Sequence, residues 1–434
     1  MASRQTTAYH RGNGEPHVFS SHSFMIRLMA ASLLTASGVM APRHAAAAEP
    51  AEPTPTASPA KNSPTTEEID GWIAELGDDA YTVRKAAGER LLDAGMPARA
   101  PLLAIVDGPD PELRAAARRL VALIDRTEFH RRLALFAADV DGRQGLTLPG
   151  WEKFRELVGG DSAARALFVE MQRHEGSLFS AVFGVSSQPA HELWEERLQR
   201  LVQRQNMVGG RNVNPPLGSC AAMVYLGSVP DMEVSDRTAM HVDHLIQASP
   251  IRDVLRPAEP SDPIRRLVVS WILNSPNQSE LALQRRLSVA SANGLKECTP
   301  LALALAGEDP QYLRVLPQTR AAAILVAGQL GGPEHVERLE PLLEDATACF
   351  SPGVRQGIGQ GQSVVQIRDV ALVVILHLTG QQPSDYGYTR ARMQPQQLFE
   401  LPTLFAENDL QRADAIEKWR SWRARQKPQP KPAD

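Results

Sequence analysis

Four times in this chain an arginine is followed three residues on by an alanine at the head of an apolar run: Arg84/Ala87, Arg114/Ala117, Arg320/Ala323 and Arg368/Ala371. A fifth copy, Arg266/Val269, keeps the spacing with a larger second residue. Two copies open alike, as Asp110-Pro111-Glu112-Leu113-Arg114 and Asp262-Pro263-Ile264-Arg265-Arg266. A recurring helix start constrains the chain more than any other feature, because a two-helix unit cannot bury its apolar face alone and must stack on its neighbours. In the Asp-Pro starts, Asp offers an N-cap oxygen to free amides and Pro takes the first helical position with its φ already set. The arginine one turn later is expected to reach that carboxylate or one in a neighbouring unit. The small residue lets an adjacent helix approach closely. Three copies stop at glycine and then proline: Gly95-Met96-Pro97, Gly331-Gly332-Pro333 and Gly380-Gln381-Gln382-Pro383. There glycine is expected to take the left-handed cap and proline to bar continuation.

On Val83-Arg84, Leu113-Arg114, Thr319-Arg320 and Ile367-Arg368, with their alanines and glycine stops, the chain resembles the HEAT/armadillo type of helical-repeat family. The resemblance covers residues 66–127 well and 216–385 loosely. It implies an all-α fold of irregular HEAT-like repeats, an α–α superhelix whose extended groove recognises protein. The wider spacing from Arg320 to Arg368 than from Arg84 to Arg114 is why the repeats are expected to be irregular.

Export is expected from the N-terminus. Met25-Ile26-Arg27 is a short basic start, residues 28–40 are apolar, and Ala45-Ala46-Ala47 offers the small residues of a signal-peptidase site. Such a stretch is shorter than the ~20 residues of a bilayer span. Residues 1–48 are read as an export signal region cleaved near Ala47 or Ala48, with Met1 or Met25 as the start. No stable membrane span then remains, and the mature chain is placed in the periplasm, the cell envelope or outside the cell. No cysteine lies near the cleavage site, and no Arg-Arg pair precedes the apolar stretch, which points to general export without lipid attachment. Residues 49–66, with proline at 50, 53, 55, 59 and 64, read as a disordered linker.

The folded region divides into N-terminal HEAT-like repeats (67–127), a helical insert without the arginine–alanine signature (128–206), C-terminal HEAT-like repeats (216–385), a C-terminal capping segment (386–426) and a disordered tail (427–434). Thr65 and Glu68 have capping-box spacing. Ile69, Trp72, Ile73 and Leu76 then fall on one helical face. Helices are expected at 80–94, from Pro97, from Pro111, and at 218–227, 236–248, 263–273, 279–291, 299–306, 318–330, 334–344, 366–379 and 409–425. In the last, Ile416, Trp419 and Trp422 face inward over the final repeat. No strand is expected.

Candidate chemistry is sparse. A net charge of −4 argues against a nucleic-acid binder. Cys220, Cys298 and Cys349 are too few for a disulfide framework. Cys220 and Cys349 read as small core residues, with one bridge among the three left open. His241 and His244 stand at i, i+3 with no accompanying glutamate, unlike the i, i+4 pair of a metal helix. Asp139, Asp141, Gly142 and Gly145 resemble a calcium loop that then fails at Arg143, Gln144 and Gly150. Gly357-Ile358-Gly359-Gln360-Gly361 has neither the strand nor the lysine of a nucleotide loop. Gly218-Ser219-Cys220 lacks the glycine pattern of a nucleophile elbow. Glu195-Glu196 sits on a polar helix face.

No catalytic, cofactor-binding or metal residue is therefore assigned, and no cofactor. The expected function is a non-enzymatic exported scaffold mediating protein–protein interaction, with another protein as partner. Two alternatives remain. One is a metal-dependent hydrolase sited in 128–250 on His174, His191, His241 or His244. The other is an envelope-polymer binder using Arg420, Arg423, Arg425, Lys427 and Lys431 with Trp419 and Trp422. Against the latter, Asp414 and Glu417 share the same helix.

Overall fold

The computed structural model describes residues 64–184, 188–207, 214–247, 250–256, 259–276, 279–307, 312, 315–351, 364–395 and 397–426. The export region, the linker up to residue 63, the Gly357–Gly361 loop and the tail 427–434 lie outside the described residues. The described chain is mainly α-helical, and none of its helices is long and apolar enough to cross a membrane.

The first four helices are α1 (Thr66–Glu75), α2 (Tyr81–Ala94), α3 (Met96–Ala104) and α4 (Pro111–Ala138). α1 starts where the capping box forms: Glu68 N–H donates to Thr65 Oγ1 at 3.3 Å, and Thr65 N–H donates to Glu68 Oε2 at 2.8 Å. α4 starts where Asp110 accepts from the amides of Glu112 (2.8 Å) and Leu113 (3.3 Å). Gly95, at φ 65°, turns α2 into α3 through the left-handed region. α1 pairs with α2 and α3 with α4, while α1 lies on α3 and α2 on α4. Ala87 and Ala117, both fully buried, let α2 and α4 close in. One hydrophobic cluster, Ile69 to Ile124, fills this bundle.

α4 runs unbroken across the boundary expected at 127/128. Ile124 belongs to the first cluster, whereas Leu133 and Phe136, on the same helix, open a second one that continues to Trp419. The segment 128–206 shares this second core and has none of its own. It carries α5 (Trp151–Val158), α6 (Ser162–Phe183) and α7 (Ala190–Met207). Its aromatic rings pack onto the next helix, Phe154 and Phe179 lying 5.3 and 5.7 Å from Tyr225.

α8 (Leu217–Gly227), α9 (Asp236–Gln247), α10 (Pro250–Leu255), α11 (Pro263–Asn274), α12 (Glu280–Ala292), α13 (Thr299–Ala306), α14 (Pro317–Leu330), α15 (Val336–Leu339) and α16 (Ile367–Leu378) follow. Consecutive helices pair as α6/α7, α8/α9, α11/α12, α13/α14 and α15/α16. Second members touch in sequence, α7 to α9 to α12 to α14 to α16. First members do the same from α6 to α8 to α11, then through the short turn Lys296–Cys298 to α13 and α15. α17 (Asp409–Gln426) ends the described chain with Trp419 buried and stacked on Trp422 at 5.2 Å.

The expectation of no strand is corrected. β1 (Ala348–Phe350) pairs antiparallel with β2 (Val365–Gln366), and β3 (Met393–Gln394) with β4 (Leu398–Phe399). Strands of two or three residues are too short to print an alternating pattern in sequence. The glycine stops also diverge: Gly380 is left-handed at φ 73°, but Gly331 is extended at φ −89°, its backbone packed against the Ala327 carbonyl.

Candidate functional site

The recurring arginines do two different jobs. Arg84 Nη1 donates to the carbonyls of Asp78 (2.7 Å) and Asp79 (2.8 Å), and Arg114 Nη1 donates to those of Gly108 (2.8 Å) and Pro109 (2.9 Å). Each thus ties down the loop leading into its own helix. The Asp110 carboxylate expected to take Arg114 is already engaged by backbone amides. The other three reach carboxylates on distant segments: Arg266 to Asp161 (2.7 Å), Arg320 to Asp345 (2.8 Å) and Arg368 to Asp409 (2.8 Å).

With their lead-in loops fixed alike, α2 and α4 lie side by side and leave an open groove of about 500 Å³. Tyr81, Lys85, Glu89 and Leu92 line it from α2, and Glu112, Arg119 and Leu123 from α4. Tyr81, Leu92 and Leu123 are 69%, 36% and 41% exposed, although each is large and apolar. Acids and bases of both signs rim these apolar groups, a composition that suits a polypeptide surface more than a polyanion.

The histidines proposed for hydrolysis lie on three helices, α6, α7 and α9. His174 sits on α6 with Nε2 2.9 Å from Glu170 Oε1, one turn away on the same helix. His191 and Glu195 line a shallow cleft of about 690 Å³ with Asp231 and Glu233. His241, on α9, lies within the electrostatic reach of Glu195. Burial, followed by the charge of Arg237, holds its imidazole below its usual value. His244 is exposed. Among the described residues, no three His, Cys, Asp or Glu side chains are grouped to hold a metal ion.

At Gly218-Ser219-Cys220 the structure places a buried network that sequence reading missed. Gly218 is where α8 meets α6, and a Cβ there would stand 2.4 Å from the Glu170 carbonyl. Ser219 Oγ donates to Glu175 Oε1 at 2.6 Å, and Arg197 grips the same carboxylate with Nε at 2.8 Å and Nη2 at 2.6 Å. Glu175 is buried at a kink in α6 (φ −129°, ψ 19°). The Glu175 carboxylate is thus shared between the Arg197 guanidinium and the Ser219 hydroxyl, which ties α6, α7 and α8 together. Burial, and next the Glu175 charge, push the Cys220 thiol up to about 12. The signal in the sequence is the spacing of the acid Glu175 with Met171 and Leu178, on a buried face that also carries Gln172.

The calcium-like loop is also occupied by protein groups. Asp139 accepts from the amides of Arg143 (2.9 Å) and Gln144 (3.2 Å) and faces the buried Arg165 at 3.5 Å. The Arg165 guanidinium lies 3.9 Å over the Phe136 ring. In α17, Arg420 pairs with Glu344, and Arg423 with Glu340 (3.1 Å) and Glu337 (3.4 Å), so two of the basic groups proposed for polymer binding are neutralised within the fold. All three cysteines are buried and free. The chain matches no family model, no curated protein and no solved structure.

Proposed function

We propose that this chain is an exported, non-enzymatic helical-repeat scaffold that binds another protein in the cell envelope or outside the cell, with the α2/α4 groove as its contact surface. The observation that carries the reading is the exposure of Tyr81, Leu92 and Leu123 along a groove whose two walls are anchored in the same way by Arg84 and Arg114. The two rows of touching helices from α6 to α16 support an irregular HEAT-like superhelix, the architecture that exposes such grooves. The hydrolase alternative has less support, because among the described residues no three His, Cys, Asp or Glu side chains are grouped to hold a metal ion.

A photo-crosslinking amino acid placed at Leu123 in the full chain, expressed with its export segment, tests the proposal. A discrete protein adduct that disappears with Leu92→Glu, and is absent when the crosslinker sits at Asp414, is the expected result. No adduct at Leu123, or the same adducts at Leu123 and Asp414, would overturn it.

A further inference from the structure

The α2/α4 groove carries a glycine that the fold of a single chain does not require. Gly88 stands in the middle of α2, where it lines the groove with Ala115 and Ala116 of α4. A Cβ at Gly88 would meet nothing nearer than the side chains of Leu120 and Leu76, both at 3.9 Å, which is ordinary packing distance. Alanine would therefore fit. Glycine is the less favourable residue in a helix interior, because it loses more backbone freedom on folding. How near two helices come depends on the side chains at their contact, so a glycine facing outward favours the close approach of a further helix.

The side chains around Gly88 are arranged about a centre. Tyr81, Lys85, Gly88, Glu89 and Leu92 recur at helical spacing and all line the groove. Lys85 and Glu89 lie two residues before and after Ala87, with Tyr81 and Leu92 beyond them at either end. Turned end for end, the stripe presents an acid where it had a base and an apolar residue where it had an apolar residue. Two such helices laid antiparallel about a two-fold axis near Gly88 set Lys85 of each copy against Glu89 of the other, and Tyr81 against Leu92. A parallel setting would oppose like charges. Within its own helix the Lys85–Glu89 pair is loose, 3.8 Å apart with 61% and 65% of the two side chains exposed, so exchanging partners costs little.

We propose that the α2/α4 groove takes α2 of a second copy of this chain, forming an antiparallel two-fold dimer that crosses at Gly88. The inference rests on the reading of this groove as a protein-contact surface and names its occupant. A patch complementary to itself closes on one partner, so association stops at two. Each copy brings few large apolar groups, Tyr81, Leu92 and Leu123, which makes the dimer a weak and reversible one.

Sedimentation of the purified full chain over a concentration series is expected to show a monomer–dimer equilibrium with a dissociation constant on the order of 10 μM. Gly88→Leu is expected to raise that constant about tenfold or more without lowering the melting temperature, because it improves the helix and obstructs the crossing. Lys85→Glu, which opposes two acids at both symmetry-related contacts, is expected to weaken the dimer. Adding Glu89→Lys is expected to restore it, since every pair is again of opposite sign. A monomer at every concentration, an unchanged dimer in Gly88→Leu, or a double reversal no better than Lys85→Glu alone overturns the proposal. A photo-crosslinker at Leu123 separates the two readings. An adduct of the chain with itself is the expected result. An adduct with a different protein only overturns the second copy and leaves the groove a contact surface, whereas no adduct overturns both.

Discussion

Arg412 Nε lies 2.9 Å from Asp369 Oδ1, and this pair joins α17 to α16 with both side chains almost wholly shielded from water. Asp369 also accepts from the Tyr388 hydroxyl (2.8 Å) and the Gln366 amide (2.9 Å), while Arg412 Nη2 donates to the Val364 carbonyl (2.7 Å). Every charge in the network is met, so its members are interdependent. Removing one partner leaves the other buried and uncompensated. Arg412→Ala is expected to destabilise the folded chain by about 3–5 kcal/mol in chemical denaturation. A loss below ~1 kcal/mol would show that α17 is not anchored through this pair.

Arg84 and Arg114 tie equivalent carbonyl pairs, so their alanine variants should behave alike. Each is expected to cost about 1–2 kcal/mol of local stability, read as faster amide exchange in α1–α4 with little change at α14 and α16. Exchange that accelerates equally in both cores would contradict this.

Asp243 is buried, and its Oδ2 has no partner, although Oδ1 accepts from the Trp271 indole N–H at 3.0 Å. Burial lifts its carboxyl to about 6, from 3.8, against the opposing pull of Trp271 and Arg286. Between those values the folded chain keeps a proton that the unfolded chain has released, so this group's contribution to stability falls as pH rises through the window. Relative to the parent chain, Asp243→Asn is expected to gain about 2–3 kcal/mol on going from pH 4 to pH 7. Parallel stability–pH curves for the two proteins would refute the assignment.

Burial pushes the thiols of Cys220, Cys298 and Cys349 each up to about 12. Thiolate is the reactive form, so a thiol reagent at pH 8 is expected to label none of the three in the native chain and all three in denaturant. Rapid labelling of any of them in the native state would place it outside the core.

Much of the helical framework was legible because helix ends are written locally. The Thr65/Glu68 box, Asp110-Pro111 and Asp262-Pro263 each sit where a helix begins, since a cap needs only side chains within about one turn of it. The groove was not legible in the same way. Tyr81, Leu92 and Leu123 fall outside the apolar faces that the spacing marks, and only the placement of α2 against α4 brings them to one groove. Glu175 likewise looked unremarkable until Arg197 and Ser219, brought from two other helices, closed on it.

The sequence by itself determined that the chain is helical and where most helices start and stop, because backbone hydrogen bonds and caps within a helix join near neighbours. Tertiary structure decided what each arginine does, which acids are neutralised and which apolar side chains stay exposed. Those outcomes depend on partners such as Asp161 for Arg266 and Asp369 for Arg412, far apart along the chain and adjacent only after the helices stack. The energy of a charge or a hydroxyl is set by what surrounds it in space, and local sequence does not carry that information.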